Sequence, residues 1–303
     1  MHRIDVHHVT KTYGSNTVVD DLTFTVEPGR VTGFLGPNGA GKSTLMKVLL
    51  DLAAADSGHA TIGGARYRSF PDPARVVGVV LEPNAFHPSR SGRDHLRILA
   101  RAGGIAAARA DETLRLVGLA EAADRRVGAY SLGMRQRLGI AAALLGDPPV
   151  LVLDEPGNGL DPQGIRWLRH LLRLRAANGN TVFVSSHLLA EVELLADDVI
   201  VIDRGRLVAQ GAIADLQQSG ATVRTPAPER LAEVLLRAGA TVTPHDETLT
   251  VQGLSLPEIG DAALAAGIAV HELTQQSGSL EELFLDWTHG IDETNDRQEV
   301  VAR

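Results

Sequence analysis

Apolar residues along this chain fall into two kinds of short run, and the alternation between them predicts most of the elements. Val76-Val77-Gly78-Val79-Val80-Leu81, Val150-Leu151-Val152-Leu153 and Thr181-Val182-Phe183-Val184 are apolar throughout. Such runs suit strands buried on both faces at the centre of a parallel sheet. Val31-Thr32-Gly33-Phe34-Leu35 is a similar strand, and it leads through a glycine-rich turn into Leu45-Met46-Lys47-Val48-Leu49-Leu50, whose spacing suits a helix. Residues 3–10 and 22–27 read as short strands separated by a turn at Gly14-Ser15-Asn16, and Ala60-Thr61-Ile62 reads as another before Gly63-Gly64. From His87 to Ala129 the texture becomes rich in alanine, arginine and leucine with helical spacing, which predicts a helical insert. Val199-Ile200-Val201-Ile202 and Arg206-Leu207-Val208-Ala209-Gln210-Gly211 predict a hairpin turning at Asp203-Arg204-Gly205. Together these patterns predict an α/β fold.

The turn after Leu35 carries the first candidate chemistry. It reads Gly36-Pro37-Asn38-Gly39-Ala40-Gly41-Lys42-Ser43-Thr44, a strand–loop–helix phosphate-binding loop. Glycines let backbone N–H groups converge on an anion, and the helix N-terminus adds partial positive charge. Lys42 would reach the β- and γ-phosphates, and the Ser43 hydroxyl would bind Mg²⁺. The chain has only three lysines, Lys11, Lys42 and Lys47, among 29 basic residues. It otherwise uses arginine and keeps lysine where a compact point charge suits a phosphate cradle.

Further candidates stand at the ends of the apolar strands. Asp154-Glu155 follows the run ending at Leu153, where an open α/β sheet binds its ligand. Asp154 would hold Mg²⁺ through water, and Glu155 would polarise the attacking water as general base; a solvated charge pair is the plainer alternative. His187 follows the strand ending at Ser186, although an isolated histidine is more often structural. Glu82 places a carboxylate after Leu81. Tyr13 suits either a packing tyrosine or a ring stacked on a nucleotide base. Ser131 is a plausible N-cap for the helix that follows, but capping does not explain the whole string Tyr130-Ser131-Leu132-Gly133-Met134-Arg135-Gln136.

Composition narrows the class. The 303 residues have room for one large domain or two smaller ones, and 44% hydrophobic content is ample for a core. A net charge of −8 argues against a nucleic-acid-binding surface. The absence of cysteine excludes disulfides, thiolate catalysis and cysteine-held zinc, and fits a reducing compartment. The first residues lack the apolar core of a signal peptide, and no run of eighteen apolar residues occurs, so any membrane role is expected to run through a partner.

Taken together and in this order, the motifs of the first 215 or so residues resemble the nucleotide-binding domain of ATP-binding-cassette (ABC) transporters. The resemblance assigns Tyr13 to adenine stacking, residues 36–44 to the Walker A loop and Asp154 and Glu155 to Walker B. It also assigns residues 130–136 to the signature motif, Leu160-Asp161 to a dimer-contacting loop and His187 to the switch histidine. Glu82 stands where the family usually has a glutamine that touches Mg²⁺ and senses the γ-phosphate. Leu132 and Met134 depart from the usual signature residues while Ser131 and Gly133 are retained, and Gly157 stands where threonine is common. Similar variants occur in the drug- and antibiotic-exporter branch.

The resemblance implies an ABC ATPase core with an antiparallel β-subdomain and a helical subdomain at about 87–145. Ser131 and Gly133 would complete the ATP site of a second copy, so this chain is expected to form a dimer, most simply a homodimer, when ATP binds. The open–close cycle would drive an ABC-2-type permease docked near residues 83–100 and hold the chain at the cytoplasmic face of the membrane. No nucleic-acid partner is expected.

Beyond Gln218, Ser219-Gly220 and Pro226-Ala227-Pro228 mark a boundary, dividing the chain into residues 1–217 and 218–289. Strands at 222–225, 241–244, 248–252 and 268–274 and helices at 229–238 and 257–266 give a β-α-β-β-α-β order, a small ferredoxin-like module. A last helix at 280–287 capped by Ser279 and a disordered tail at 290–303 complete the expectation. Two other functions compete with the exporter ATPase. A soluble ABC ATPase working on DNA or ribosomes would usually carry two cassettes or a long coiled coil, and neither is visible. A GTPase would need a lysine in its guanine-reading box, and none follows Lys47.

Overall fold

The computed structural model describes residues 2–81, 86–216, 221–245 and 248–275. Glu82, the 217/218 boundary, the helix at 280–287 with Ser279, and the tail at 290–303 lie outside them. The described residues divide between Ile213 and Ala214 into two compact units.

The first unit opens with a long hairpin, β1 (Ile4–Tyr13) and β2 (Asn16–Val26), followed by β3 (Val31–Leu35) and α1 (Lys42–Leu49). Then come β4 (Ser57–Ile62), the single turn α2 (Pro73–Val76) and β5 (Val77–Val80). The helical insert contributes α3 (Gly92–Ala102), α4 (Ala108–Leu116) and α5 (Leu132–Ala143). The chain returns through β6 (Val150–Leu153), α6 (Pro162–Ala177), β7 (Thr181–Ser186), α7 (Leu189–Leu195), β8 (Asp198–Asp203) and β9 (Arg206–Ala212), and the single turn α8 (Ile213–Leu216) spans the division between the units.

Two sheets form this unit. β2-β1-β4 is antiparallel, and β5-β6-β7-β3-β8-β9 is parallel except for the antiparallel edge strand β9. Arg204 (φ +46°) and Gly205 (φ +80°) turn the β8–β9 hairpin, as two successive left-handed residues do in a type I′ turn. β3, β6 and β7 are buried along their whole length, which explains why their sequences show no alternation. A core between the sheets joins Val6, Leu22 and Phe24 of the antiparallel sheet to Phe34 and Phe183 of the parallel one, with the three phenylalanine rings 5.2–6.0 Å apart.

The second unit contains β10 (Ala221–Arg224), α9 (Pro228–Arg237), β11 (Thr241–His245), β12 (Thr248–Gln252), α10 (Leu256–Ala265) and β13 (Glu272–Gln275). Its antiparallel sheet runs β11-β12-β10-β13, the ferredoxin-like order, around its own core of Val223, Leu231, Leu249, Val251 and Ile259. The last strand begins at Glu272 rather than 268. Gly267 (φ +65°) turns the chain, Ile268 is spent on the core, and pairing starts once the His271 N–H donates to the Arg224 carbonyl at 2.8 Å.

Candidate functional site

The phosphate-binding loop joins β3 to α1 in the central sheet. Gly41 has φ +104°, and a Cβ there would stand 2.4 Å from the Val18 carbonyl of β2. Only glycine meets both conditions. The Ala40 N–H donates to the Pro37 carbonyl at 3.2 Å, closing the turn. Lys42 lies buried beneath the loop, and its Nζ donates to the Gly36 carbonyl (2.6 Å) and the Pro37 carbonyl (3.1 Å). Nζ is also 3.9 Å from Glu155 Oε1. Burial pushes the Lys42 pKa below its ordinary value, against the opposing pull of the Glu155 and Asp154 carboxylates. A cleft of about 220 Å³ opens between Val18, Asn38, Gly39, Lys42, Thr44 and Glu155.

The two acids follow β6 and diverge in role. Asp154 is buried; its Oδ2 accepts from Ser43 Oγ at 2.6 Å and its Oδ1 accepts from Ser185 Oγ. Its N–H donates to the Val80 carbonyl at 2.7 Å, which fixes the strand end against β5. Glu155 is held at φ +48°, and its carboxylate Oε2 pairs with His187 Nδ1 at 2.8 Å. The Glu155 N–H donates to Ser185 Oγ (2.9 Å) and its carbonyl accepts from Gln136 Nε2 (3.2 Å). One short region thus gathers Lys42, Ser43, Asp154, Glu155 and His187 from three strand ends. The arrangement presents donors and a cation to an anion, with a base beside them.

The signature residues lie elsewhere. Ser131 caps α5, accepting from the Met134 N–H at 3.2 Å. With Leu132, Gly133, Gly159, Leu160 and Asp161 it lines a separate open cleft of about 490 Å³, to which no residue of the phosphate loop contributes. Asp161 caps α6 by accepting from the Gly164 N–H at 2.6 Å. At Gly157 a Cβ would meet the Glu191 carboxylate at 2.9 Å, so the space a threonine side chain would enter is taken by that acid.

Tyr13 stands half exposed at the end of β1 with Lys11 Nζ 5.1 Å from its ring centroid. The wall of the cleft is formed by Val18 of the same hairpin. Sequence reasoning missed Val18 and Ser185 as members of the site, and it placed Gln136 in the signature string without a contact to Glu155. The string Ser185-Ser186-His187 offered a weak signal for the serine, and nothing local marks Val18.

A phosphate loop on a parallel sheet, with acids at the end of β6 one strand beyond β7, defines a P-loop nucleoside triphosphatase. Comparison with known proteins narrows the class. A family model described as "ABC transporter" matches residues 19–158, and one described as "Domain of unknown function (DUF8746)" matches residues 219–281. The "Uncharacterized ABC transporter ATP-binding protein YhcH" of Bacillus subtilis (strain 168) is 35% identical over 291 residues, covering 94% of this chain and 95% of the relative. The "Bacitracin transport ATP-binding protein BcrA" of Enterococcus faecalis is 41% identical over 218 residues, 71% of each chain. A solved structure described as "Structure of ATP binding subunit of ABC transporter" superposes with a TM-score of 0.64 at 27% identity, covering 85% of this chain and 98% of that one. The chain belongs to the ATP-binding subunits of ABC transporters. It is an ATPase whose turnover powers a membrane permease.

Proposed function

We propose that this chain energises an ABC-2-type exporter of a drug, an antibiotic or a lipid-like compound, with the permease carried on a separate polypeptide. The names of relatives such as the bacitracin transport protein support the exporter branch, as do the variant residues in the signature motif. They lend no support to mechanical work on DNA or ribosomes. Among the described residues no helix is long and apolar enough to cross a membrane, which fits a subunit held at the cytoplasmic face by its permease.

In this reading residues 36–44 wrap the phosphates and Lys42 leaves its loop carbonyls for the β- and γ-phosphates. Tyr13 stacks on adenine. Glu155, oriented by His187, takes the proton of the attacking water. Ser43 and Asp154 converge with oxygen ligands 2.6 Å apart, a donor set that suits Mg²⁺, which takes few protein ligands beside phosphates and water. Ser43 would hold the ion directly and Asp154 through water, with Glu82 as a further candidate. The ion would neutralise charge on the transferring phosphate.

The observation that carries the proposal is the separation of the two clefts. Ser131, Gly133 and Asp161 line an open cleft to which the phosphate loop does not contribute, so they are free to close over the ATP of a second copy. The test of the exporter reading is affinity purification of the Glu155→Gln variant from membranes with ATP present. Recovery of an integral membrane protein supports it, and recovery of ribosomes or DNA instead refutes it.

A further inference from the structure

Gln136 is fully buried on α5, yet its side chain reaches across to the acidic end of β6. Nε2 donates to the Glu155 carbonyl at 3.2 Å, while Oε1 is buried with no hydrogen-bond partner among the described residues. An unpaired buried amide oxygen is costly, so packing alone would favour an apolar side chain at this position. Among the described residues, the one side-chain hydrogen bond that Gln136 makes falls on strained backbone. Glu155 has φ +48°, a conformation unfavourable to any residue with a Cβ, and it persists only where neighbours hold it.

Three bonds do so. Ser185 Oγ accepts from the Glu155 N–H at 2.9 Å, and the Glu155 carbonyl accepts from Gln136 Nε2 and the Asn158 N–H, each at 3.2 Å. The conformation aims the Glu155 carboxylate at His187 Nδ1, 2.8 Å away. A second contact ties the same helix to the same segment. A Cβ on Gly133 would stand 2.8 Å from the Gly159 carbonyl, so the start of α5 rests on the chain four residues past Glu155.

We propose that Gln136 is a positioning residue, which holds the Glu155 backbone in its left-handed conformation and so links the setting of the signature helix to the base of the same chain. The proposal rests on the reading of Glu155 as general base and of Ser131 and Gly133 as contacts to a second copy's ATP. On that reading the nucleotide at one site, gripped by the N-terminus of α5, sets the base at the other site through Gln136. The two sites then hydrolyse cooperatively, although Gln136 itself touches no nucleotide.

Gln136→Leu and Gln136→Met both remove the donor while filling similar volume, and methionine adapts where leucine does not pack. Each should bind ATP with a Kd within about twofold of the parent, because the phosphate loop is untouched, while kcat falls about tenfold with KM little changed. The Hill coefficient of ATPase activity against ATP should fall towards one. A kcat within about twofold of the parent overturns the proposal, as does a loss of kcat matched by an equal loss of ATP affinity. A lowered kcat with the parent's Hill coefficient overturns the link between sites. The underlying reading is tested separately, by hydrolysis and ATP-dependent association of Glu155→Gln with Gln136 intact.

Discussion

At the scale of single residues, the site is a set of close approaches that leave little room for substitution. Lys42→Ala removes the buried ammonium that now donates to the Gly36 and Pro37 carbonyls and would serve ATP. Losing charge-assisted bonds worth about 1.5–3 kcal/mol should weaken ATP binding about 10- to 100-fold, measurable by nucleotide titration. Gly41→Ala forces a Cβ into a backbone with φ +104° and to within 2.4 Å of the Val18 carbonyl. It should destabilise the fold by about 2 kcal/mol or more, read from urea unfolding. Lys42, Asp154 and Glu155 were legible in the sequence because one strand–loop–helix or one strand end supplies each of them locally. Ser185 and Gln136 were not, because their roles arise from the pairing of β7 with β6 and the packing of α5 on β5 beside that pair, which sequence spacing does not report.

At the scale of elements, the apolar runs predicted the buried strands, and their ends moved only where pairing decided them. β1 extends to Tyr13 and β2 starts at Asn16 because the two pair up to a tight hairpin at Gly14-Ser15. Polar residues such as Lys11 and Thr12 hid that extension from a reading by hydropathy. The helical insert carries a buried histidine. His95 of α3 is buried edge-on against Phe86, with ring centroids 4.9 Å apart. Burial, with a smaller push from Arg90, lowers its pKa from 6.5. Above that value the ring is neutral in both folded and unfolded chains. As pH falls through it the unfolded chain takes up a proton that the folded chain resists, so stability drops. Thermal melts between about pH 7 and about pH 5.5 should show a shallower fall for His95→Leu than for the parent. Ser131→Ala, which removes the cap of α5, should cost about 1 kcal/mol of stability by the same melts.

At the scale of the whole molecule, two units with separate cores follow one another along the chain. A fragment ending at Ile213 should therefore melt cooperatively and bind ATP with near-parental affinity, measured by calorimetry and nucleotide titration. The C-terminal module was legible as a β-α-β-β-α-β pattern, but its fold assigns it no task. In the proposed function the first unit works by being incomplete: the phosphate loop lies in one cleft and Ser131 and Gly133 in another. The claim on which the rest depends is that a second copy joins these halves around ATP. Light scattering on the Glu155→Gln variant, with Mg²⁺ and saturating ATP, decides it. The mass should rise from the 32.2 kDa of one chain to about twice that value and return when ATP is removed. A mass that stays at one chain while ATP is bound would contradict it.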